Sequence, residues 1–203
     1  MSLQGKTAIV TGSSRGIGAA TAALLAAEGA AVAVNYHMNR GRGEELLAGI
    51  VEKGGRGILV QADVTDRSQV QAMVDRTVAE LGPVDILVNN ANMYFPFKAF
   101  LEYSWEDFER KMVHEMKGAF FPSQAVAVGM VRRRQGCIVN VSSGLSRVPG
   151  LGFCAHTSAK SALDGFSKAL AHELGPHGIR VNVVAPGLTV TDATAGQPQE
   201  MKD

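Results

Sequence analysis

The chain has 203 residues, of which 46% are hydrophobic and 19% charged, and its formal net charge is +1. This length and apolar content suffice for one buried core, so we expect a single domain over residues 1–203. The balanced charge argues against a nucleic-acid partner. No apolar run reaches the roughly 18 residues of a membrane span, and the two cysteines fit neither a disulfide framework nor a metal site. Together these features favour a cytoplasmic protein without a metal.

Short apolar runs alternate with longer segments of helical periodicity along the whole chain. The runs predict strands at residues 7–10, 31–35, 58–61, 86–89, 138–141 and 181–185. The periodic segments predict helices from residue 17 to the stop at Gly29, over 44–51, from the capping pair Asp66 and Gln69 to 81, over 105–131 and over 157–174. Pro122 makes the fourth of these either one long helix or two joined ones.

Repeated strand–helix–strand units of this spacing form right-handed parallel crossovers. We therefore predict an α/β fold, a doubly wound parallel sheet of Rossmann-like type with six strands and helices on both faces. Ligands of such sheets bind beyond the carboxyl ends of the strands, at the point where the strand order reverses.

A glycine-rich turn lies directly after the first predicted strand and opens the first predicted helix. It has the sequence Thr11-Gly12-Ser13-Ser14-Arg15-Gly16-Ile17-Gly18. Glycines let the backbone turn sharply and approach a pyrophosphate, while the helix N-terminus offers N–H groups and a partial positive charge. The alternative is a tight turn without a ligand, but the strand–turn–helix context favours a nucleotide site.

With the spacing Gly12-x-x-x-Gly16-x-Gly18, the chain resembles the short-chain dehydrogenase/reductase family, and within it the 3-oxoacyl-(acyl-carrier-protein) reductases. The resemblance covers nearly the whole chain. Further matching motifs are Asp63-Val64 after the third strand, Asn89-Asn90-Ala91 at the fourth, Ser143 with Lys160, and Pro186-Gly187 after the sixth.

The resemblance implies a bound nicotinamide cofactor. The residues that it places against this cofactor are Gly12, Ser14, Arg15, Gly16, Ile17, Gly18, Tyr36, Asp63, Val64, Asn89, Ala91, Lys160, Pro186, Gly187, Thr189 and Thr191.

The residues after the second strand bear on the choice of cofactor. An NAD site of this kind needs a carboxylate there to hold the ribose 2′-hydroxyl, but no acid occurs between residues 30 and 43. Arg15, Arg40 and Arg42 suit a 2′-phosphate instead, because guanidinium binds phosphate oxygens in a bidentate manner. We expect NADP(H), with NAD(H) as the alternative; Arg40 and Arg42 could equally be solvated at a helix start.

The predicted active site departs from the family pattern at three positions. Members resembling this chain use Asn, Ser, Tyr and Lys. Counting twelve residues between Ser and Tyr from Ser143 leads to His156, with Lys160 following at the expected place. Aligning residues 116–120 puts Glu115 where the asparagine belongs, and Asn92 replaces a glycine of the motif at the fourth strand.

These departures change the proton chemistry. A cationic Lys160 would favour a neutral His156, which accepts a proton readily but donates its second one poorly. Glu115 could pair with His156 as a replacement relay and restore acid character, or pair with Lys160 and be structural. After the fourth strand, an apolar set of residues either lines a substrate cleft or packs beneath the loop; it consists of Met93, Tyr94, Phe95 and Phe97.

Three functions remain open on these residues. The first is an NADP(H)-dependent oxidoreductase with an altered proton relay, acting on a carbonyl or secondary-alcohol small molecule. The second is a weakly active or inactive cofactor-binding subunit of an active reductase, and the third a cyclase or dehydratase on the same scaffold.

The helices over 105–131 and 157–174 match those of family dimer bundles, so we expect a homo-oligomer. Relatives continue through a substrate lid and a seventh strand, so we expect either a truncated sequence or a reduced member.

Overall fold

The computed structural model describes residues 2–191. This part of the chain contains six strands and five α-helices. The strands are β1 (Thr7–Val10), β2 (Ala31–Tyr36), β3 (Arg56–Gln61), β4 (Ile86–Asn89), β5 (Gly136–Val141) and β6 (Ile179–Val184). The helices are α1 (Gly16–Ala27), α2 (Arg40–Glu52), α3 (Arg67–Leu81), α4 (Trp105–Arg133) and α5 (Cys154–Leu174).

The strands form one sheet in the order β3-β2-β1-β4-β5-β6, and every neighbouring pair is parallel. The strand order reverses between β1 and β4, so the chain leaves the sheet on opposite sides at this point. The predicted doubly wound α/β fold is confirmed. The switch point makes the carboxyl ends of β1 and β4 the expected ligand site.

Two apolar cores lie on the two faces of the sheet. On one face, Ala22 of α1 and Ile50 of α2 pack against Val10 and Val34. The small alanines of α1 bring its backbone close to the sheet, which places the start of the helix beside the end of β1.

The other face carries α3, α4 and α5. Met73 of α3, Met130 of α4 and Leu174 of α5 pack with Leu87 of β4 and Ile138 of β5. This packing sets α4 and α5 side by side over the carboxyl half of the sheet.

Several helix bounds differ from the predicted ones. α2 begins at Arg40 because the Asn39 side chain caps it, and its glycine-rich first turn hides the helical periodicity. α4 runs unbroken through Pro122. α5 begins at Cys154, three residues before the predicted start.

Within residues 2–191, no helix is long and apolar enough to cross a membrane. The same residues contain no group of three or more His, Cys, Asp or Glu side chains placed to hold a metal ion.

Candidate active site

A cleft of about 570 Å³ opens at the carboxyl ends of β1 to β4, where the strand order reverses; we call it the glycine-turn cleft. Its walls come from the turn after β1, the residues after β2 and β3, and the residues after β4. The lining residues are Gly12, Ser14, Arg15, Gly16, Ile17, Gly18, Asn35, His37, Met38, Asn39, Ala62, Asp63, Val64, Asn90, Ala91, Asn92, Met93 and Thr191.

The turn itself depends on glycine at two positions. Gly12 has φ +60°, and a Cβ there would lie 2.8 Å from the Cα of Ala91. A Cβ on Gly18 would lie 2.7 Å from the Gly12 carbonyl oxygen. Both distances are shorter than real Cβ contacts, so a side chain would displace the backbone of the turn. The close packing is possible only with glycine.

Two asparagines hold the turn in place. The Oδ1 of Asn35 accepts a hydrogen bond from the Gly12 amide at 2.9 Å. The Nδ2 of Asn90 donates to the carbonyls of Thr11 at 2.9 Å and Gly12 at 3.2 Å. Asn90 is therefore a site residue that the sequence reasoning did not single out, although it stands in the quoted motif.

The N-terminus of α1 meets this turn without a protein side chain to cap it. Arg15 is the residue before the helix, no side-chain cap bond forms there, and no acid lies in the first turn, among the residues that the structure describes. The N–H groups of the first turn and the helix dipole thus favour an anion in the cleft. A pyrophosphate fits this donor set.

Six of the predicted cofactor residues do not line the cleft, namely Tyr36, Asn89, Lys160, Pro186, Gly187 and Thr189. Of these, Asn89 and Tyr36 are turned toward other parts of the fold. Asn89 points its amide into a buried polar cluster, where Nδ2 donates to Asn140 at 2.8 Å and Ser123 at 3.0 Å, so it joins β4 to β5 and α4. Tyr36 is buried and lines a separate groove with Arg40 and residues of α2 and β3.

The arginines considered for a 2′-phosphate are placed differently. Arg15 lines the cleft together with His37 and Asn39. Arg40 instead forms an ion pair with Glu44 at 2.8 Å, and that carboxylate is the largest cause that raises its pKa. Arg42 lies exposed in the first turn of α2.

Asp63 lies at the opposite wall of the cleft. Its Oδ1 accepts hydrogen bonds from the amide and the hydroxyl of Thr65, each at 2.8 Å. Burial alone would raise the pKa of this carboxyl, but the two bonds from Thr65 and the nearby His37 bring it below its usual value. Asp63 is therefore ionised and fixed in direction.

The loops that follow β5 and β6 contact each other at the same carboxyl edge of the sheet, next to the cleft. The Gly144 amide donates to the Pro186 carbonyl at 2.9 Å, and the Ser143 Oγ accepts from the Leu145 amide at 3.2 Å. The chain then returns to the glycine turn, where the Thr191 methyl lies 3.5 Å from the position of a Cβ on Gly16. Thr189 lines a shallow groove beside the same helix start.

A buried triad of charged side chains joins α4 to α5; it consists of Lys111, Glu115 and Lys160. The Glu115 carboxylate contacts Lys111 Nζ through Oε2 at 2.5 Å and Lys160 Nζ through Oε1 at 2.6 Å. Lys160 also donates to the Val141 carbonyl at 2.8 Å. Burial by itself would raise the pKa of Glu115, but the two ammonium groups lower it below its usual value. The carboxylate therefore stays ionised.

Lys111 is a residue that the sequence reasoning missed. It is completely buried, and its ammonium group also donates to Asn92 Oδ1 and to the Met93 carbonyl, each at 2.9 Å. Because residues four apart lie on one side of a helix, the Lys111–Glu115 spacing was the signal that could have found it. The triad thus reaches from the loop after β4 to α5.

His156 lies beside the triad but is not bonded to it. Only 8% of the residue is exposed, and its Nδ1 is buried without a hydrogen-bond partner in the described part of the chain. Its ring stacks on Phe95 at 4.7 Å and meets Phe153 edge-on at 6.2 Å. Burial, reinforced by Lys111 and Lys160, lowers the pKa of His156 to about 4. The imidazole is neutral at pH 7.

The geometry decides between the two interpretations of Glu115. Among residues 2–191, Glu115 forms its ion pairs with Lys111 and Lys160, not with His156. The Glu115–His156 dyad is therefore not formed, because both carboxylate oxygens face ammonium groups and the imidazole faces aromatic rings. Of the loop residues after β4, Phe95 and Phe97 pack against Phe153 or His156.

Comparison with known proteins places these features in one family. The model of the short chain dehydrogenase family matches residues 6–202. The 3-oxoacyl-(acyl-carrier-protein) reductase of Staphylococcus aureus is 38% identical in a 203-position alignment that covers 98% of this chain and 80% of that protein.

Two solved structures are also similar to this chain in sequence and in fold. A blue fluorescent protein from a metagenomic library, in complex with NADPH, is 37% identical with a TM-score of 0.89, covering 99% of this chain and 83% of that one. An NAD⁺-bound xylitol dehydrogenase is 35% identical with a TM-score of 0.88, covering 92% and 72%.

Proposed function

The chain belongs to the short-chain dehydrogenase family of oxidoreductases, and from that membership we propose that it is an NADP(H)-dependent enzyme that interconverts a carbonyl and a secondary alcohol through an altered proton relay. The observation that carries this proposal is the uncapped start of α1 at a turn where Gly12 and Gly18 exclude any Cβ. Such a turn accommodates a pyrophosphate at close range.

Residues of the glycine-turn cleft and of the adjoining sheet edge would together hold the cofactor. The backbone of residues 12–18 would face the pyrophosphate, and Asp63 and Val64 would face the adenine. Lys160, which lies outside the cleft, would face the nicotinamide ribose. The loop at Pro186 and Gly187 and the threonines at 189 and 191 lie where the resemblance puts the nicotinamide. When bound, the cofactor supplies or accepts a hydride at the carbonyl carbon.

NADP(H) is the preferred cofactor in this proposal. Arg15 lines the cleft beside His37 and Asn39, and no carboxylate follows β2 to hold a free 2′-hydroxyl. A guanidinium at this place supports binding of a 2′-phosphate. Solved relatives with NADPH and with NAD⁺ are both similar to this chain, so the choice depends on these side chains.

The proton is handled by His156 and Ser143. Because the His156 imidazole is neutral at pH 7, it can accept a proton from a substrate hydroxyl, although its lowered pKa makes it a weak base. Its remaining N–H is a still poorer acid. The Ser143 hydroxyl can donate a hydrogen bond to the substrate oxygen while its Oγ accepts from the Leu145 amide. We therefore expect alcohol oxidation to be faster than carbonyl reduction relative to a tyrosine-based enzyme.

The test measures cofactor binding and turnover separately. NADPH binding is followed by its fluorescence, and turnover by NADPH oxidation with carbonyls and NADP⁺ reduction with secondary alcohols. We expect tight NADPH binding and measurable alcohol oxidation. The matched variants are His156→Tyr and the double variant Glu115→Asn with His156→Tyr, which restores the family residues at both places.

We expect the double variant to gain more reductase activity than His156→Tyr alone, because Glu115 neutralises the Lys160 charge that a tyrosine would need. Since the loss of Glu115 also leaves Lys111 and Lys160 facing each other, urea unfolding first establishes that this variant is folded, and Lys111→Met is added to it if it is not. Failure to bind either NADPH or NADH would overturn the proposed function.

A second candidate is a cofactor-binding subunit with little redox activity. The stacking of Phe95 on the nearly buried His156 favours it, because the ring covers the proposed proton acceptor. Tight NADPH binding without turnover, together with activity in the double variant, would select this candidate.

We also propose a homo-oligomer that forms through α4 and α5. The face of α4 exposes the apolar side chains of Val113 at 40%, Phe120 at 42% and Val128 at 55%, and Phe120 contacts Phe166 of α5. Burial of such a face stabilises association. Light scattering at micromolar concentration should give at least a dimer, and a monomer would contradict the proposal.

A further inference from the structure

The three departures from the family pattern meet at one side chain, that of Lys111. Its Nζ bonds to Asn92 Oδ1, to the Met93 carbonyl and to Glu115 Oε2. It also lies 5.2 Å from the centre of the Phe95 ring, which in turn stacks on His156. Asn92, Glu115 and His156 are therefore connected through contacts of a residue that the proposed reaction does not use.

The ammonium group of Lys111 is fully occupied by these contacts. It has three N–H donors, and each has an acceptor at 2.9 Å or less. The residue has no solvent exposure. A buried ammonium group is costly unless it is paired and hydrogen-bonded, so this saturated geometry indicates a defined role rather than a side chain that merely fills space.

We propose that Lys111 is a positioning residue of the reactive centre: it holds the Glu115 carboxylate against Lys160 and, through Asn92 and Met93, the loop that lays Phe95 on His156. The functional meaning of this role rests on the proposed oxidoreductase, because it acts through Lys160 and His156. The positioning itself is a property of the chain without cofactor.

The charge balance of the triad makes the proposal specific. Two ammonium groups share one carboxylate, so Lys111 and Lys160 repel each other across Glu115. The charged groups that face His156 are these three, and the remaining neighbours are the rings of Phe95 and Phe153. Lys111 lowers the pKa of His156, so its removal should raise that pKa.

The first experiment compares urea unfolding midpoints of Lys111→Met, Glu115→Gln and the double variant. Glu115→Gln leaves two buried ammonium groups facing each other, so it should lower the midpoint most. Adding Lys111→Met removes that repulsion and should recover part of the loss. If Lys111 only filled space, the double variant would be less stable than Glu115→Gln, and the proposal would be wrong.

The second readout is the titration of His156 followed by proton NMR of its ring. In Lys111→Met the pKa of His156 should rise. In the double variant, used should the single one fail to fold, that pKa should also rise but by less, because the effect of Lys111 exceeds the opposite effect of Glu115. The control is Lys53→Met, which removes an exposed lysine at the end of α2 and should leave both readouts unchanged.

An unchanged His156 titration in folded Lys111→Met would overturn the proposal. Both readouts use the protein without cofactor, so they stand apart from the NADPH measurements. A failure of the proposed function would appear in the NADPH measurements and not in the urea unfolding or the His156 titration.

Discussion

The glycine-turn cleft and the buried triad lie at the same edge of the sheet, but they are built differently. The cleft is formed mainly by backbone, because Gly12 and Gly18 pack against other main-chain atoms and leave no room for a Cβ. The triad is formed by long side chains from α4 and α5 whose charges meet in the interior.

This difference bears on which residues can change. A backbone site accepts few residue types, since any Cβ at Gly12 or Gly18 collides with its neighbours. A side-chain network can exchange members as long as every charge and donor finds a partner. The family pattern is accordingly intact in the glycine turn, whereas the departures at Asn92 and Glu115 occur together with Lys111, which bonds both.

The largest expected effect is on the backbone site. In Gly18→Val, the new side chain collides with the Gly12 carbonyl, so the turn must open and NADPH affinity should fall by at least about a hundredfold, or about 2.7 kcal/mol. NADPH fluorescence titration measures the loss. The control is Gly49→Ala in α2, which meets nothing within 4 Å and should keep the affinity while gaining about 0.5–1 kcal/mol of stability. Equal NADPH affinity in Gly18→Val and the wild type would contradict the view that the cleft, unlike the triad, depends on close backbone packing.

The next effect concerns the side-chain site and its dependence on pH. The pKa of His156 is about 4 in the folded chain and about 6.5 when unfolded, so the unfolded chain binds one more proton between these values. The free energy of unfolding should therefore fall as pH drops from about 6.5 to about 4, by at most about 3.4 kcal/mol. Urea unfolding at several pH values across this range gives the free energy of unfolding as a function of pH. This free energy should change less with pH in His156→Gln than in the wild type. The exposed His172→Gln is the control, and an identical slope in His156→Gln would contradict the lowered pKa.

The smallest effect concerns Arg15, which lines the cleft, compared with Arg40, which lies outside it. In Arg15→Ala, NADPH affinity should fall by at least about tenfold, with little change for NADH, because a charge-assisted bond to the 2′-phosphate is worth about 1.5–3 kcal/mol. Arg40→Ala should leave both affinities unchanged, since Arg40 pairs with Glu44 on the surface. Parallel fluorescence titrations compare the two cofactors. Equal losses for NADPH and NADH in Arg15→Ala would argue against a 2′-phosphate contact.

The fold could be predicted from the sequence because its signals are local. The apolar runs of β1 and β4 and the glycine turn between β1 and α1 are each readable within a few residues. The predicted starts of α2 and α5 were less accurate. The start of α2 lies in a glycine-rich turn that Asn39 caps, and α5 begins at Cys154 without a side-chain cap.

The candidate site was only partly predictable for a physical reason. The spacing from Ser143 to His156 and Lys160 locates residues along the chain, but not the direction in which Glu115 points. That direction depends on Lys111 and on the loop at Asn92, which come together only through the packing of α4 against β4. Tyr36 and Asn89 likewise stand at the expected positions, yet their side chains turn away from the cleft.

The sharing of one carboxylate by two ammonium groups also restricts the order in which such a centre can arise. From an asparagine at position 115, a change to glutamate places the new charge directly beside Lys160, where it has a partner at once. A lysine at position 111 acquired first would instead set a second buried cation near Lys160 with no anion between them. Among histories that acquire the two residues one at a time, the one that introduces Glu115 before Lys111 avoids this costly intermediate. Accordingly, Lys111→Met, which keeps only the glutamate, should fold more stably than Glu115→Asn, which keeps only the lysine.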